Sequence, residues 1–215
     1  MLKRVVLGLA VFLSAGLVQA QPAAGVEYRE LSTPQPTDTA GKIEVIEFFS
    51  YLCPHCYNFE PLLEPWVKKL PKDTQFRRVP ALFNDDYARA ARAYYALEAI
   101  GEESRLHKTL FAAVHAGARL RVEDEAALTE WLGKQGVDTK RFKAAYRSFS
   151  VESKLKHAAQ LTQAYQIDGV PSMAVNGKYV VITDNMKSLE QLLGVSDYLV
   201  ERARRDGSKA VPKKK

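Results

Sequence analysis

The sequence predicts an α/β domain interrupted by an all-helical insertion, and three observations carry that prediction. Lys42-Ile43-Glu44-Val45-Ile46-Glu47-Phe48-Phe49 is rich in β-branched and aromatic residues and nearly continuous in apolar character, as a central strand covered on both faces should be. Far downstream, Asn176-Gly177 between apolar segments is a two-residue hairpin signal. Between these lies a long tract whose apolar residues recur at helical spacing. The chain has 215 residues, enough to bury a core without disulfide staples, and its 2 cysteines sit three apart in Cys53-Pro54-His55-Cys56.

Cysteine chemistry depends on compartment, and the N-terminus sets it. Lys3 and Arg4 form a charged start, residues 5–18 are apolar apart from Ser14, and Val18-Gln19-Ala20 offers small residues before a cut near Gln21. Residues 1–20 therefore read as a secretory signal and the mature chain as exported. The apolar run is shorter than the ~20 residues of a spanning helix, which argues against an uncleaved anchor. Losing Lys3 and Arg4 brings the formal net charge from +6 to +4. Much of the remaining excess lies at Arg202, Arg204, Arg205, Lys209, Lys213, Lys214 and Lys215, which reads as a solvated end; no nucleic acid is expected as a partner.

The first strand leads through Ser50-Tyr51-Leu52 into the cysteines, and the pattern then becomes helical. Phe59, Leu62, Leu63 and Trp66 share a face, Lys68 and Lys69 suit a last turn, and Pro61 predicts a kink. Cys53 thus falls at the N-cap, Pro54 at the first helical position, His55 at the second and Cys56 at the third. Proline is suited to its place because its missing N–H has no helical partner to lose. The N–H groups of His55 and Cys56 are then free to point at the Cys53 sulfur, which favours a thiolate. The helix dipole adds about 0.3–1 kcal/mol, so direct donors and a partly charged His55 must supply any larger shift. Stabilising the thiolate stabilises the dithiol, and each ~1.4 kcal/mol makes the disulfide about 30 mV more oxidising.

Other uses of the pair fit less well. Zinc needs four ligands, and His107, His115 and His157 show no close pair spacing with which to complete the set. Haem attachment requires a histidine after the second cysteine, where Tyr57 stands. A structural disulfide over so small a loop constrains little chain entropy. No metal and no cofactor are expected, and the three histidines read as surface or helix-packing residues.

The intervening tract reads as several helices. Tyr87 to Ile100 is alanine-rich, Glu102 to Ala116 follows Gly101, and Leu128, Trp131 and Leu132 mark a third stretch. Asp138 can cap a fourth, on which Phe142, Tyr146 and Phe149 share a face, and Val151, Leu155, Ala158, Thr162 and Tyr165 form a stripe on a longer one. The expected organisation is a discontinuous parent domain at 21–84 and 159–215 with a helical insertion at 85–158. After the insertion, Met173 to Val175 and Lys178 to Ile182 should pair around Asn176-Gly177. Pro171, at the start of the first of these strands, cannot donate a ladder bond.

The run Glu47-Phe48-Phe49-Ser50-Tyr51-Leu52-Cys53-Pro54-His55-Cys56 resembles the redox-active segment of the DsbA-type thiol:disulfide oxidoreductases of the thioredoxin superfamily. Gly169-Val170-Pro171-Ser172-Met173, followed by Val175-Asn176-Gly177-Lys178-Tyr179, is similar to that family's second motif. The resemblance covers most of the mature chain and implies a thioredoxin-like fold with a helical insertion. It also implies a cis Val170-Pro171 bond against the active-site disulfide. The family is itself the reference example of an acidified cysteine and an oxidising couple.

On that resemblance, the expected function is a monomeric, periplasmic oxidase of protein dithiols. Reduced, unfolded exported proteins are its partners, with reoxidation by a quinone-linked, DsbB-like membrane protein. Cys53 is expected to be the attacked sulfur and Cys56 the resolving one. Glu47, a carboxylate costly to bury without a job or partner, is expected to move protons for Cys56. Tyr51, Leu52, Val170 and Met173 are candidates for an apolar substrate rim. A disulfide isomerase or reductase of the same fold and a non-enzymatic holdase are the alternatives; an acidified Cys53 and an oxidising potential distinguish the oxidase from both.

Overall fold

The computed structural model describes residues 21–210 apart from 118 and 185. The secretory signal read at 1–20 and the last lysines of the basic tail lie outside the described residues. The elements in chain order are β1 (Tyr28–Glu30), β2 (Ile43–Phe49), α1 (Pro54–Val67), β3 (Thr74–Pro80), α2 (Asp85–Ile100) and α3 (Glu103–His115). They continue with α4 (Glu125–Lys134), α5 (Thr139–Tyr146), α6 (Phe149–Ala164), β4 (Ser172–Val175), β5 (Tyr179–Val181) and α7 (Leu189–Ala210).

The strands form one mixed sheet in the order β1-β5-β4-β2-β3. β2 lies inside it, parallel to β3 and antiparallel to β4, which explains why its sequence is apolar almost throughout. Its alternate residues serve two different cores. Val45 joins Phe59 and Leu63 of α1 and Leu192 and Leu199 of α7. Ile46 and Phe48 join a larger cluster with Ala90, Leu97, Leu110, Phe142, Val151 and Leu155 from the helical tract. The helices between β3 and β4 are thus anchored on one face of the sheet that carries the cysteines.

The hairpin has the expected two-residue turn. The Lys178 N–H donates to the Val175 carbonyl at 3.1 Å, and Asn176 (φ 54°) and Gly177 (φ 67°) both adopt positive φ, as a type I′ turn requires. Gly177 also meets the polar segment before β2: its carbonyl accepts from the Gln35 N–H at 2.7 Å. A Cβ at 177 would lie 2.0 Å from the Gln35 carbonyl oxygen. Gly177→Ala is therefore expected to cost more than about 1 kcal/mol, from backbone strain and from displacing that segment together; denaturant melts measure it.

Local chemistry starts the helices. Asn84, Asp124, Asp138 and Ser148 cap α2, α4, α5 and α6 with side-chain oxygens. The Ser148 cap corrects one expectation. Phe149 is not on the buried face of α5 with Phe142 and Tyr146; it opens α6 and is 83% exposed. The basic run near the end is a second correction. Arg202 and Arg204 belong to α7 and pair with Glu30, Asp73 and Glu201, rather than forming a loose end. α1 runs as one helix through Pro61 and Pro65, and Lys68 is its C-cap, just past the last turn.

Candidate active site

Cys53 is the N-cap of α1, with extended backbone, and Pro54 occupies the first helical position. The Cys56 N–H donates to Cys53 Sγ at 3.4 Å. Both cysteines are free thiols in this structure and both are buried, whereas Pro54 and His55 are exposed. The peptide bond Val170-Pro171 is cis, and the Val170 carbonyl lies 3.2 Å from Cys53 Sγ, accepting its S–H when the sulfur is protonated. The helix start and the loop before β4, 117 residues apart in sequence, thus meet at one sulfur.

The two thiols have opposite proton affinities. Contact with the Cys56 side chain, helped by the backbone N–H groups of Cys56 and His55 and the His55 charge, lowers Cys53 to about 6 against the pull of burial. Cys56 is pushed well above its ordinary value by burial, by Cys53 and by the negative charge of Glu47, against the Ser50 backbone N–H. At neutral pH, Cys53 is largely thiolate and Cys56 is thiol.

Beneath the cysteines is a buried ionic cluster. The parallel register of β2 and β3 sets Arg78 beside Glu47, and Arg78 Nε donates to Glu47 Oε2 at 3.1 Å. Arg78 Nη2 donates to both oxygens of Glu60 on α1, at 3.1 and 3.0 Å. Glu47 is fully buried, and its Oε1 has no hydrogen-bond partner. Burial raises its carboxyl to about 8, with Arg78 and His107 opposing and Glu60 adding to the rise. Burial also pushes Glu60 upward, but His107 and Arg78 outweigh it and hold that carboxyl below its ordinary value.

Of the rim candidates, Leu52 and Val170 are half-buried near Cys53, and Pro171 is buried. Tyr51 and Met173 are core residues instead, 1% and 0% exposed. Met173 sits opposite Glu47 in the sheet and packs into the core shared with α1 and α7. Sequence reading missed Glu60, Arg78, Phe83 and Tyr87. Tyr87 is half-buried, and its phenol is raised by burial and by the nearby charges of Cys53 and Cys56. Phe83 is 38% exposed and packs on Tyr87 with ring centroids 5.1 Å apart. The signals available were the β3 register, for Arg78, and the Asn84 cap, which places both aromatics at the start of α2. The histidines also divide: His107 is buried, His115 donates its Nε2–H to the Tyr51 carbonyl at 2.8 Å, and His157 contacts Asp38 at 3.2 Å.

An acidic thiol and a basic one within a single helical turn can exchange a disulfide with an external thiol, and the mixed sheet with its cis-proline loop is the thioredoxin fold. The molecule is thus, by class, a thioredoxin-fold thiol:disulfide oxidoreductase. Comparison with known proteins agrees. Residues 44–194 match the DSBA-like thioredoxin domain. The thiol:disulfide interchange protein DsbA of Burkholderia cepacia is 41% identical over 198 residues, 90% of this chain and 93% of its own. That of Azotobacter vinelandii is 45% identical over 181 residues, 84% of each chain. The crystal structure of Pseudomonas aeruginosa DsbA superposes with a TM-score of 0.82 at 40% identity, covering 87% of this chain and 97% of that one. The chain belongs to the DsbA family, and its activity is thiol:disulfide exchange in oxidative protein folding.

Proposed function

We propose that the chain is an exported, periplasmic dithiol oxidase in which Cys53 is the exchanging sulfur, Cys56 the resolving one and Glu47 the proton carrier between steps. A substrate thiolate attacks Cys53 Sγ of the Cys53–Cys56 disulfide. The S–S bond breaks, its electron pair goes to Cys56, and the Glu47 carboxyl supplies the proton. A second substrate thiolate then attacks the substrate sulfur of the mixed disulfide. Cys53 leaves as a thiolate, the substrate departs with a new disulfide, and the enzyme is left as the dithiol. The carrying observation is the contrast between the two thiols: acidified Cys53 is a good leaving group in the second step, while Cys56, too basic to leave readily as a thiolate, leaves in the first step because Glu47 supplies its proton.

His55 and Pro54 set the contrast: Pro54 starts the helix without needing a donor, while His55 adds an N–H and a charge at Cys53. In the disulfide state Cys53 has no S–H, so the Val170 carbonyl before Pro171 is free to receive a backbone N–H from an extended substrate, with Leu52 and Val170 as apolar contacts. Reduced, unfolded exported proteins are the substrates, acting on a monomer that a quinone-linked, DsbB-like membrane protein reoxidises. The chain is organised as a parent domain at 21–84 and 159–215 with the helical insertion at 85–158.

Titration of the dithiol form tests the reading. The alkylation rate of Cys53 should follow a single thiolate with a midpoint near pH 6, as the acidified sulfur of this structure requires, while Cys56, held protonated by burial and by Cys53, stays unreactive well beyond that midpoint. Equilibration with glutathione should leave the protein largely reduced. A Cys53 titrating as an ordinary thiol, together with a strongly reducing potential, would sink the oxidase reading.

A further inference from the structure

The buried cluster extends beyond the groups that touch Glu47. His107, on α3, is 4% exposed, with Phe49 and Phe111 edge-on to its ring at 5.5 and 5.1 Å. Its Nε2 lies 3.1 Å from Glu60 Oε1. Its Nδ1 lies 2.9 Å from the Tyr51 hydroxyl and 3.1 Å from Glu103 Oε1, an ion-pair contact off the line of a hydrogen bond. Arg78 of β3 acts on the ring through its charge, and Tyr94 of α2 packs against it at 6.4 Å. Glu47 of β2 interacts with the ring through its charge, and with these groups it makes up the titratable surroundings of His107 among the described residues.

A neutral imidazole has one N–H and one lone pair. The Nδ1–H tautomer turns the Nε2 lone pair on Glu60 Oε1 at 3.1 Å; the Nε2–H tautomer lets Nδ1 accept from the Tyr51 hydroxyl at 2.9 Å but offers no proton toward Glu103 Oε1, 3.1 Å away. Only the imidazolium presents N–H on both sides. The charge count decides for the imidazolium. Glu47, Glu60 and Glu103 surround a single guanidinium, that of Arg78, so a second cation is needed before more than one of them can be ionised without excess buried charge. With an imidazolium present, Glu60 and Glu103 are compensated, and Glu47, whose Oε1 is unpartnered, is left to hold a proton.

We propose that His107 is a positioning residue for disulfide exchange: as an imidazolium clamped between Glu60 and Glu103, it balances the buried cluster so that Glu47 carries the one exchangeable proton delivered to Cys56. The inference rests on the assignment of Glu47 as that carrier. When Glu47 gives its proton to the departing Cys56 sulfur, it becomes the third carboxylate of the cluster, and the His107 charge limits the cost of that state. A proton from water restores Glu47. Burial opposes a charge on His107, but its Glu103 and Glu60 contacts outweigh burial and raise its proton affinity, in keeping with the geometry.

The test uses the mature chain as wild type, Glu47→Gln and His107→Gln. The equilibrium with glutathione is followed from about pH 5.5 to pH 10 by alkylation of acid-quenched samples. Wild type should show a change of slope near pH 8, from Glu47, that Glu47→Gln lacks. Removing the imidazolium leaves ionised Glu47 less stabilised, so His107→Gln should move that change upward by about one pH unit, about tenfold in proton affinity. A slope change that persists in Glu47→Gln overturns the carrier assignment itself. A slope change lost in Glu47→Gln but unmoved in His107→Gln overturns only the role of His107, and a purely structural histidine would give that result with lowered stability. If His107→Gln fails to fold, nitrogen NMR of the wild-type ring decides: both ring nitrogens should be protonated at pH 7, and a neutral tautomer there overturns the proposal.

Discussion

Cys56→Ala, mixed with a disulfide-bonded unfolded polypeptide and quenched in acid, should hold that polypeptide as a mixed disulfide through Cys53, and its turnover as an oxidase should fall to the uncatalysed level. Exchange is reversible, so the Cys53 thiolate, acidified to about 6, attacks the substrate disulfide and forms the same intermediate met in the forward direction. The wild type clears it because Cys56 lies one helical turn away with its N–H at 3.4 Å from the Cys53 sulfur. Without that sulfur, only the released substrate thiol can reverse the step. Mass spectrometry of the adducted peptide is the measurement. An adduct through Cys56 in Cys53→Ala, or no adduct in Cys56→Ala, contradicts the assigned roles.

Arg78→Met should lower stability by about 3–5 kcal/mol near pH 8, the usual cost of removing one partner from a buried ionic group, and a large share of the ~5–15 kcal/mol that holds a domain together. Arg78 joins Glu47 at 3.1 Å and Glu60 at 3.0 Å, so one substitution takes the guanidinium from the ionised Glu60 and from Glu47, which is partly ionised near pH 8. The loss should shrink as the pH falls. Glu60 is held below its ordinary value in the native fold; its contribution is therefore complete above the unfolded carboxylate pKa and disappears as pH falls through the folded one. Without Arg78 both carboxylates take up protons more readily, and an acidic medium relieves the variant. Guanidinium melts of the disulfide form at pH 8 and pH 5 measure the difference. An equal loss at both would mean that packing by the arginine stem, not charge, is what the substitution removes.

Much of the site was legible because its determinants are local. The apolar β2 run, the proline after Cys53 and the helical face beginning at Phe59 together place two sulfurs at a helix N-terminus. Asn176-Gly177 is legible for the same reason, as a two-residue turn needs positive φ at both positions. Phe149 misled because helical periodicity runs on past Tyr146, and only the Ser148 cap, competing for the same backbone, breaks it. The arginines near the chain end misled because their partners Glu30 and Asp73 come from β1 and the segment before β3, far away in sequence.

The sequence by itself determined that the chain carries a dithiol at a helix start, that a hairpin lies beyond a helical tract, and that a carboxylate occupies an otherwise apolar strand. Only the tertiary structure decided what surrounds them. Strand register brings Arg78 to Glu47, packing of α1 and α3 brings Glu60 and His107 into the same cluster, and the β4 loop brings the Val170 carbonyl to Cys53. It also assigned Tyr51 and Met173 to the core, because whether an apolar residue near a site is rim or interior depends on what folds over it. A pattern of adjacent residues fixes backbone conformation and facing, whereas proton affinity depends on burial and on charges a few ångströms away, and those come from elements the chain assembles only when it folds.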